Sequence, residues 1–148
     1  MFTKQKHNIN LYSTLLELSR NVFFYKELKL PDTFETRIYL MFIHFSIMMI
    51  IFKRKKQKFD QKSYDTFFRN IEYNLREMGF GDVTVNKKMK ELNKILYDIL
   101  LKLEKPNKSG FSLNDILISK YFKDLNKKDD KYGEFERYFV NFYDFCFE

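Results

Sequence analysis

The sequence has few of the residues that tight turns, disulfides and metal clusters require. Its 148 residues include 4 glycines, 2 prolines, 1 cysteine and no tryptophan. So little glycine and proline leaves few candidate hairpin turns, which argues against a β-rich fold and favours helices. The single cysteine, Cys146, excludes an intrachain disulfide and a cysteine-based metal cluster.

The first residues and the net charge of the chain indicate where the protein acts and what kind of partner it has. Residues 1–10 contain no apolar run of the kind that a secretory signal peptide needs, so we expect a cytoplasmic protein. Hydrophobic residues make up 45% and charged residues 32%, which is typical of a globular chain. The net charge of +7 fits RNA, a ribosome surface or an anionic membrane leaflet as a partner, but it also fits a chain that is simply rich in lysine.

Apolar residues recur at helical spacing along most of the chain. This pattern predicts an all-α fold, a compact bundle of five to six helices with a central helical hairpin, in one domain over residues 1–148. Residues 1–8 are expected to form a loose tail. The first four predicted helices cover about 11–28 with a break near Asn21, the apolar stretch Ile38–Phe52 with its flanks, 61–78, and 85–105. Two C-terminal helices are predicted within 111–147. The first is short, capped by Ser112 or Asp115 and ending near Phe122, and the second follows the polar stretch 126–130 and carries Phe135, Phe139 and Phe142.

Capping residues mark two of the predicted helix starts. Asp32 or Thr33 can cap the apolar helix, with Glu35 placed for a capping box. Gly79 is expected to end the third helix in a left-handed conformation, and Asp82 or Thr84 to cap the fourth. A connection this short predicts an antiparallel helical hairpin. The connecting segment Gly79-Phe80-Gly81-Asp82 does not resemble a phosphate-binding loop, because it follows a helix instead of a strand and lacks the lysine-serine ending of such loops.

The apolar stretch Ile38–Phe52 is shorter than the ~20 residues of a membrane span, which favours the central helix of a bundle. The alternative is that part of its surface stays uncovered and receives a hydrophobic client or a lipid. The basic run that ends this helix is expected to be a solvated terminus that complements the helix dipole, or to contact phosphates of lipid or RNA. This run is Lys53, Arg54, Lys55 and Lys56.

Histidine is scarce as well, since His7 and His44 are the only two. His44 lies in the most apolar helix, where a core histidine with satisfied hydrogen bonds is favoured over a metal or haem ligand. No Ser-His-Asp arrangement is legible. We therefore expect a protein without catalytic residues, metal or cofactor.

Two separated motifs carry a family resemblance. The first is Leu30-Pro31-Asp32-Thr33, followed by Arg37 and His44. The second is the segment Leu75–Asp82 (LREMGFGD), followed by Val85 and Lys87-Lys88-Met89. In order and spacing these motifs resemble the ubiquinol–cytochrome c chaperone family from about Leu11 to Met89. Thr36 and Leu96-Tyr97-Asp98-Ile99 depart from the family pattern, and residues 111–147 match it only in helical layout.

This resemblance implies an all-helical chaperone that helps to assemble respiratory complex III, with residues 9–105 as the family-like core. Mitochondrial members of the family bind newly made cytochrome b near the ribosomal tunnel exit, together with a small partner protein. By analogy, cytochrome b is the expected client of this chain, and the inner face of the plasma membrane is a possible place of action.

The same resemblance selects candidate residues for binding a client or partner. Two hypotheses stay open for the charged ones: they fix the helix junctions through charge-assisted hydrogen bonds, or they form the surface that the client contacts. The candidates are Asp32, Thr33, Arg37, His44, Arg76, Glu77, Gly79, Gly81, Asp82, Lys87 and Lys88.

Two other functions remain as alternatives. One is a helical module that binds RNA or the ribosome without acting on a client, in which case its affinity for bare RNA should depend strongly on salt. The other is an enzyme that acts on a lipid or quinone, with His44 as the acid–base residue.

Overall fold

The structure, a computed structural model, describes residues 2–105, 110–125 and 129–148. Over these residues the chain is all-α, as predicted, and its only β-type pairing is an isolated bridge between Glu104 and Leu113. Six helices follow one another, with a π-helical turn at Phe23–Glu27 between the first two. They are α1 (Phe2–Ser19), α2 (Phe34–Arg54), α3 (Gln61–Glu77), α4 (Asp82–Lys102), α5 (Asp115–Tyr121) and α6 (Asp130–Phe147).

Helix α2 is the centre of the bundle, which confirms the prediction for the apolar stretch. It packs against α1, α4 and α6, and every residue from Leu40 to Ile47 is buried. By length and composition α2 could cross a membrane, but most of its apolar window is covered by the other helices. Each large side chain that is fully buried, such as Phe42 or Phe45, stabilises the fold by roughly 1.5–3 kcal/mol relative to an exposed one.

The predicted break near Asn21 is present, and it changes the hydrogen-bonding pattern. Helix α1 begins at Phe2, well before the expected start near Leu11, and ends at Ser19. The chain then makes a single π-helical turn, in which the Leu28 amide donates to the Phe23 carbonyl. This turn places the buried ring of Phe24 against the aromatic side chains of α6. The loose tail over residues 1–8 stays a prediction.

The helix caps differ in part from the predicted ones. Thr33 is the N-cap of α2, and its hydroxyl accepts from the Thr36 amide at 3.2 Å. The capping box of Asp32 and Glu35 is therefore wrong, because the third residue after the true cap is Thr36. Caps at Asp82 or Thr84 are also wrong, since the N-cap of α4 is Gly81.

The hairpin of α3 and α4 forms as predicted. Gly79 adopts φ +97°, a left-handed conformation that a side chain rarely takes, and this allows the chain to turn directly after α3. The two helices pack side by side, with Ile71 and Leu75 of α3 and Val85 of α4 buried. A turn this tight fixes where the charged side chains on either side of it lie.

Candidate functional site

The contacts of Arg54 define one end of the bundle. Its guanidinium bonds Glu104, just after α4, and donates to the Tyr143 hydroxyl of α6 at 2.6 Å. The carboxyl ends of α2, α4 and α6 therefore lie together. We call this the basic end, because it carries the run Lys53–Lys56 and Lys58. The opposite end, with the start of α2 and the α3–α4 turn, carries most of the motif residues and is called the motif end.

At the motif end, Arg37 interacts with Asp32, which precedes α2, and with Tyr12 of α1. Its guanidinium lies 3.5 Å from the Asp32 carboxylate. Arg37 and Glu77 both act electrostatically on the Tyr12 phenol, whose pKa is raised mainly by burial. A shallow depression of about 430 Å³, lined in part by Arg37, Asp32 and Tyr25, opens beside them. The structure thus brings Asp32, Arg37 and Glu77 into one neighbourhood.

Arg76 ties the two helices of the hairpin together. Its guanidinium bonds Glu72 one turn earlier on α3, at 3.2 Å, and Asp82 on the first turn of α4. These two carboxylates raise the pKa of Arg76. The Asp82 side chain is therefore engaged across the turn rather than as a helix cap. This geometry supports the hypothesis that these charges fix a helix junction, although all three groups remain accessible to a partner.

The remaining motif residues at this end are exposed or partly exposed. Thr33 caps α2, while Gly79 and Gly81 shape the hairpin turn. Lys88 places its ammonium 4.9 Å from the centre of the Phe80 ring, which holds that ring over the start of α4. Lys87 is exposed to solvent.

His44 lies apart from both ends, in the core. Its ring is fully buried, with Nδ1 2.6 Å from the Leu40 carbonyl oxygen and Nε2 2.8 Å from the Tyr138 hydroxyl. Burial lowers the pKa of His44 to about 4, so the imidazole is neutral near pH 7. Both ring nitrogens are occupied by protein groups, as expected of a satisfied core histidine. This arrangement gives no support to an acid–base or ligand role.

A groove near the basic end includes Met49 and Ile50 of the apolar stretch, for which the sequence left open an uncovered surface, but its wall on α4 was not identified from the sequence. It has a volume of about 650 Å³ and runs between the last turns of α2 and α4. Apolar side chains form most of its wall, and Leu101 is 79% exposed. We call it the apolar groove; its lining is Met49, Ile50, Lys53, Arg54, Leu100, Leu101 and Glu104.

One sequence signal could have indicated the apolar groove. Tyr97 and Leu101 are four residues apart on α4, and they lie off the stripe that Leu92, Leu96 and Ile99 bury. Two large apolar side chains on the outer surface of an amphipathic helix are a sign of an unfilled contact. The buried stripe alone does not reveal them, because an amphipathic pattern is read for the residues that face the core.

The described residues hold no group of three or more His, Cys, Asp or Glu side chains placed to bind a metal ion. The electrostatically most perturbed carboxylate, Asp98, is instead part of a helix contact. It accepts from the Lys120 ammonium at 2.8 Å and the Tyr121 hydroxyl at 2.5 Å, and these bonds hold the pKa of Asp98 well below its usual range. This contact fastens α5 to α4.

Comparison with known protein families gives a match over most of the chain. Residues 26–140 match the family model described as Ubiquinol-cytochrome C chaperone. The matched stretch includes both motifs, His44, the basic run and the apolar groove. No curated protein and no solved structure gives a significant match.

Proposed function

Because the chain belongs to the ubiquinol-cytochrome C chaperone family, we propose that it is a non-enzymatic assembly chaperone of respiratory complex III whose client is newly made cytochrome b. Membership in a chaperone family implies a client protein. The apolar groove is the observation that supports our choice of the surface that binds this client. A client of this kind exposes apolar helices before it is assembled. The groove offers a matching surface on an otherwise well-packed bundle.

The shape of the groove suits a helix rather than a small molecule. Its two walls are helices whose carboxyl ends lie together, since Arg54 at the end of α2 bonds Glu104 just after α4. Leu101 lines the groove and is 79% exposed, so it stands at the rim. Met49 adds a flexible, polarizable side chain that adapts to different partners. A client helix laid along the groove would cover these side chains.

The ion pair at the end of the groove is already satisfied. Arg54 bonds Glu104 and Tyr143, so a client helix would not need to neutralise a buried charge there. Lys53 remains free to reach water from the groove wall, with its aliphatic stem along the apolar surface. Apolar contact with the client therefore carries the affinity that we propose.

A pull-down from respiring cells in mild detergent tests this function. We expect tagged wild-type protein to enrich cytochrome b over other membrane proteins, as measured by mass spectrometry. Leu101→Asp should abolish the enrichment, because it places a charge on the rim of the groove. The matched control is Ile116→Asp on α5, which changes a side chain of nearly equal exposure, 77%, outside the groove.

The rival RNA-binding function predicts a different result. Ribosomal RNA and ribosomal proteins would be recovered without cytochrome b, and Leu101→Asp would leave that recovery unchanged. Such a result would contradict the chaperone proposal. Binding of bare RNA that weakens steeply with salt would identify the lysines as the contacts.

A further inference from the structure

The basic end carries cations that nothing in the described part of the chain neutralises. Residues 53–58 are all exposed and contain no acidic residue. Arg54 is paired with Glu104, but Lys53, Lys55, Lys56 and Lys58 form no ion pair with any residue that the structure describes. Four unpaired ammonium groups within six positions concentrate positive charge at one end of the bundle.

Exposed aromatic side chains lie beside these lysines. The last turn of α6 presents Phe145, 78% exposed, and Phe147, 40% exposed. The Lys55 ammonium lies 5.0 Å from the centre of the Phe147 ring, so Phe147 shares a surface with the basic run, and Phe145 is exposed on the same last turn of α6. Asp144 and Glu148 lie on the same turn, and the four lysines outnumber them.

We propose that the basic end docks on the surface of an anionic lipid bilayer. Lysine ammonium groups would contact the lipid phosphates, and Phe145 and Phe147 would enter the boundary between headgroups and acyl chains. Charge complementarity identifies an anionic surface as the occupant. The aromatic rings distinguish a bilayer from a purely polyanionic partner, because they need an apolar layer at the same depth.

The docking also orients the molecule. The carboxyl ends of α2, α4 and α6 would point toward the membrane, with the apolar groove opening at its surface and the motif end directed away from it. This inference goes beyond the proposed chaperone function and does not depend on the identity of the client. In this orientation the apolar groove would lie at the membrane surface, where the helices of a membrane-embedded client leave the bilayer.

Sedimentation with client-free vesicles tests the proposal separately from the chaperone function. The purified chain should bind vesicles of phosphatidylcholine mixed with phosphatidylglycerol, and bind poorly to phosphatidylcholine alone. Changing Lys53, Lys55 and Lys56 together to Gln should weaken binding by roughly 100-fold, since each lysine near an anionic surface contributes about a factor of five. Arg54 stays unchanged so that its ion pair is kept.

A second triple variant controls for net charge. Lys90, Lys94 and Lys123 are exposed lysines outside the basic end, and changing them to Gln removes the same charge. Vesicle binding should stay within a few-fold of wild type. Equal loss of vesicle binding in both triple variants would overturn the proposal. It would also be overturned if the wild-type chain does not bind the vesicles but binds RNA, and the first triple variant abolishes that RNA binding.

A fluorescence measurement tests the orientation. The chain has no tryptophan, so a single introduced one reports its own surroundings. Phe145→Trp should show a blue-shifted emission when anionic vesicles are added. Val83→Trp, at an 84% exposed position on the first turn of α4 at the motif end, should show none. A shift at position 83 without one at position 145 would overturn the proposed docking surface.

Discussion

The hydroxyl of Tyr138 lies 2.8 Å from Nε2 of His44, and this hydrogen bond joins the central helix α2 to α6 inside the core. The Leu40 carbonyl can only accept, so Nδ1 of His44 carries the proton of the neutral ring. Nε2 is therefore the acceptor, and Tyr138 donates to it. A single tautomer satisfies both ring nitrogens, which explains how a histidine fits the most apolar helix of the chain.

Removal of the Tyr138 hydroxyl should destabilise the fold. Tyr138→Phe leaves Nε2 buried without a donor, and we expect the free energy of unfolding to fall by about 1–3 kcal/mol. Urea unfolding followed by circular dichroism measures the change. Tyr73→Phe removes an exposed hydroxyl and should change the stability by less than about 0.5 kcal/mol. Equal effects of the two changes would contradict the role assigned to the bond.

The burial of His44 predicts a loss of stability in acid. The folded state lowers the pKa of His44 from 6.5 to about 4, so the unfolded chain binds a proton at a higher pH than the folded one. The free energy of unfolding should therefore fall as the pH drops from 6.5 toward 4, by roughly 3 kcal/mol in total. Above pH 6.5 the contribution of His44 is constant.

Nuclear magnetic resonance checks this prediction at the ring itself. The His44 resonances should keep their neutral positions at pH 5.5, and a His7→Gln variant, which removes the only other imidazole, assigns them. Titration of His44 near pH 6.5 in the folded protein would contradict a buried, doubly bonded ring.

The hydrogen bonds of His44 show how far the sequence alone could lead. Its helical position within Ile38–Phe52 was enough to predict burial, because polar residues in such a stretch are rare and need partners. The partner could not be predicted, since Tyr138 is far away in sequence and belongs to a region matched only by its helical layout. The π-helical turn after Asn21 was likewise beyond prediction, because it depends on the packing of Phe24 against α6.

Asp98 should be important for the attachment of α5. Asp98→Asn weakens the bonds from Lys120 and Tyr121, and we expect a loss of about 1 kcal/mol, because the carboxylate is close to solvent on the side of Lys120. Urea unfolding measures it, with Asp124→Asn as a control at an exposed position. No difference between the two variants would show that α5 is held by apolar contacts alone.

Arg76→Ala separates the two hypotheses for the motif residues. Its ion pairs are exposed, so we expect a folded protein with a slightly lower Tm and a difference from wild type that shrinks at high salt. Thermal unfolding at two salt concentrations measures this, with the exposed Arg69→Ala on the same helix as the control. Intact client capture would support a role in the helix junction, and lost capture with intact folding would assign Arg76 to the client surface.

The apolar groove marks the limit of motif-based prediction. The family motifs direct attention to Arg37, Arg76 and Asp82 at the motif end, where short-range spacing carries the signal. Leu101 and Ile50 form a site only because the carboxyl ends of α2 and α4 lie together at the basic end. The outward apolar residues of α4 indicate one wall at most. The pairing of α4 with α2 is a product of packing over the whole bundle, and no local pattern of residues encodes it.

Photocrosslinking at position 101 during synthesis of cytochrome b is the most direct test of the proposed client surface. A photoreactive amino acid replaces Leu101 in one protein and Ile116 in a second, and crosslinked products are identified by mass spectrometry. We predict that position 101 crosslinks to cytochrome b and that position 116 does not. Crosslinks from both positions at equal yield, or crosslinks only to ribosomal components, would contradict the account.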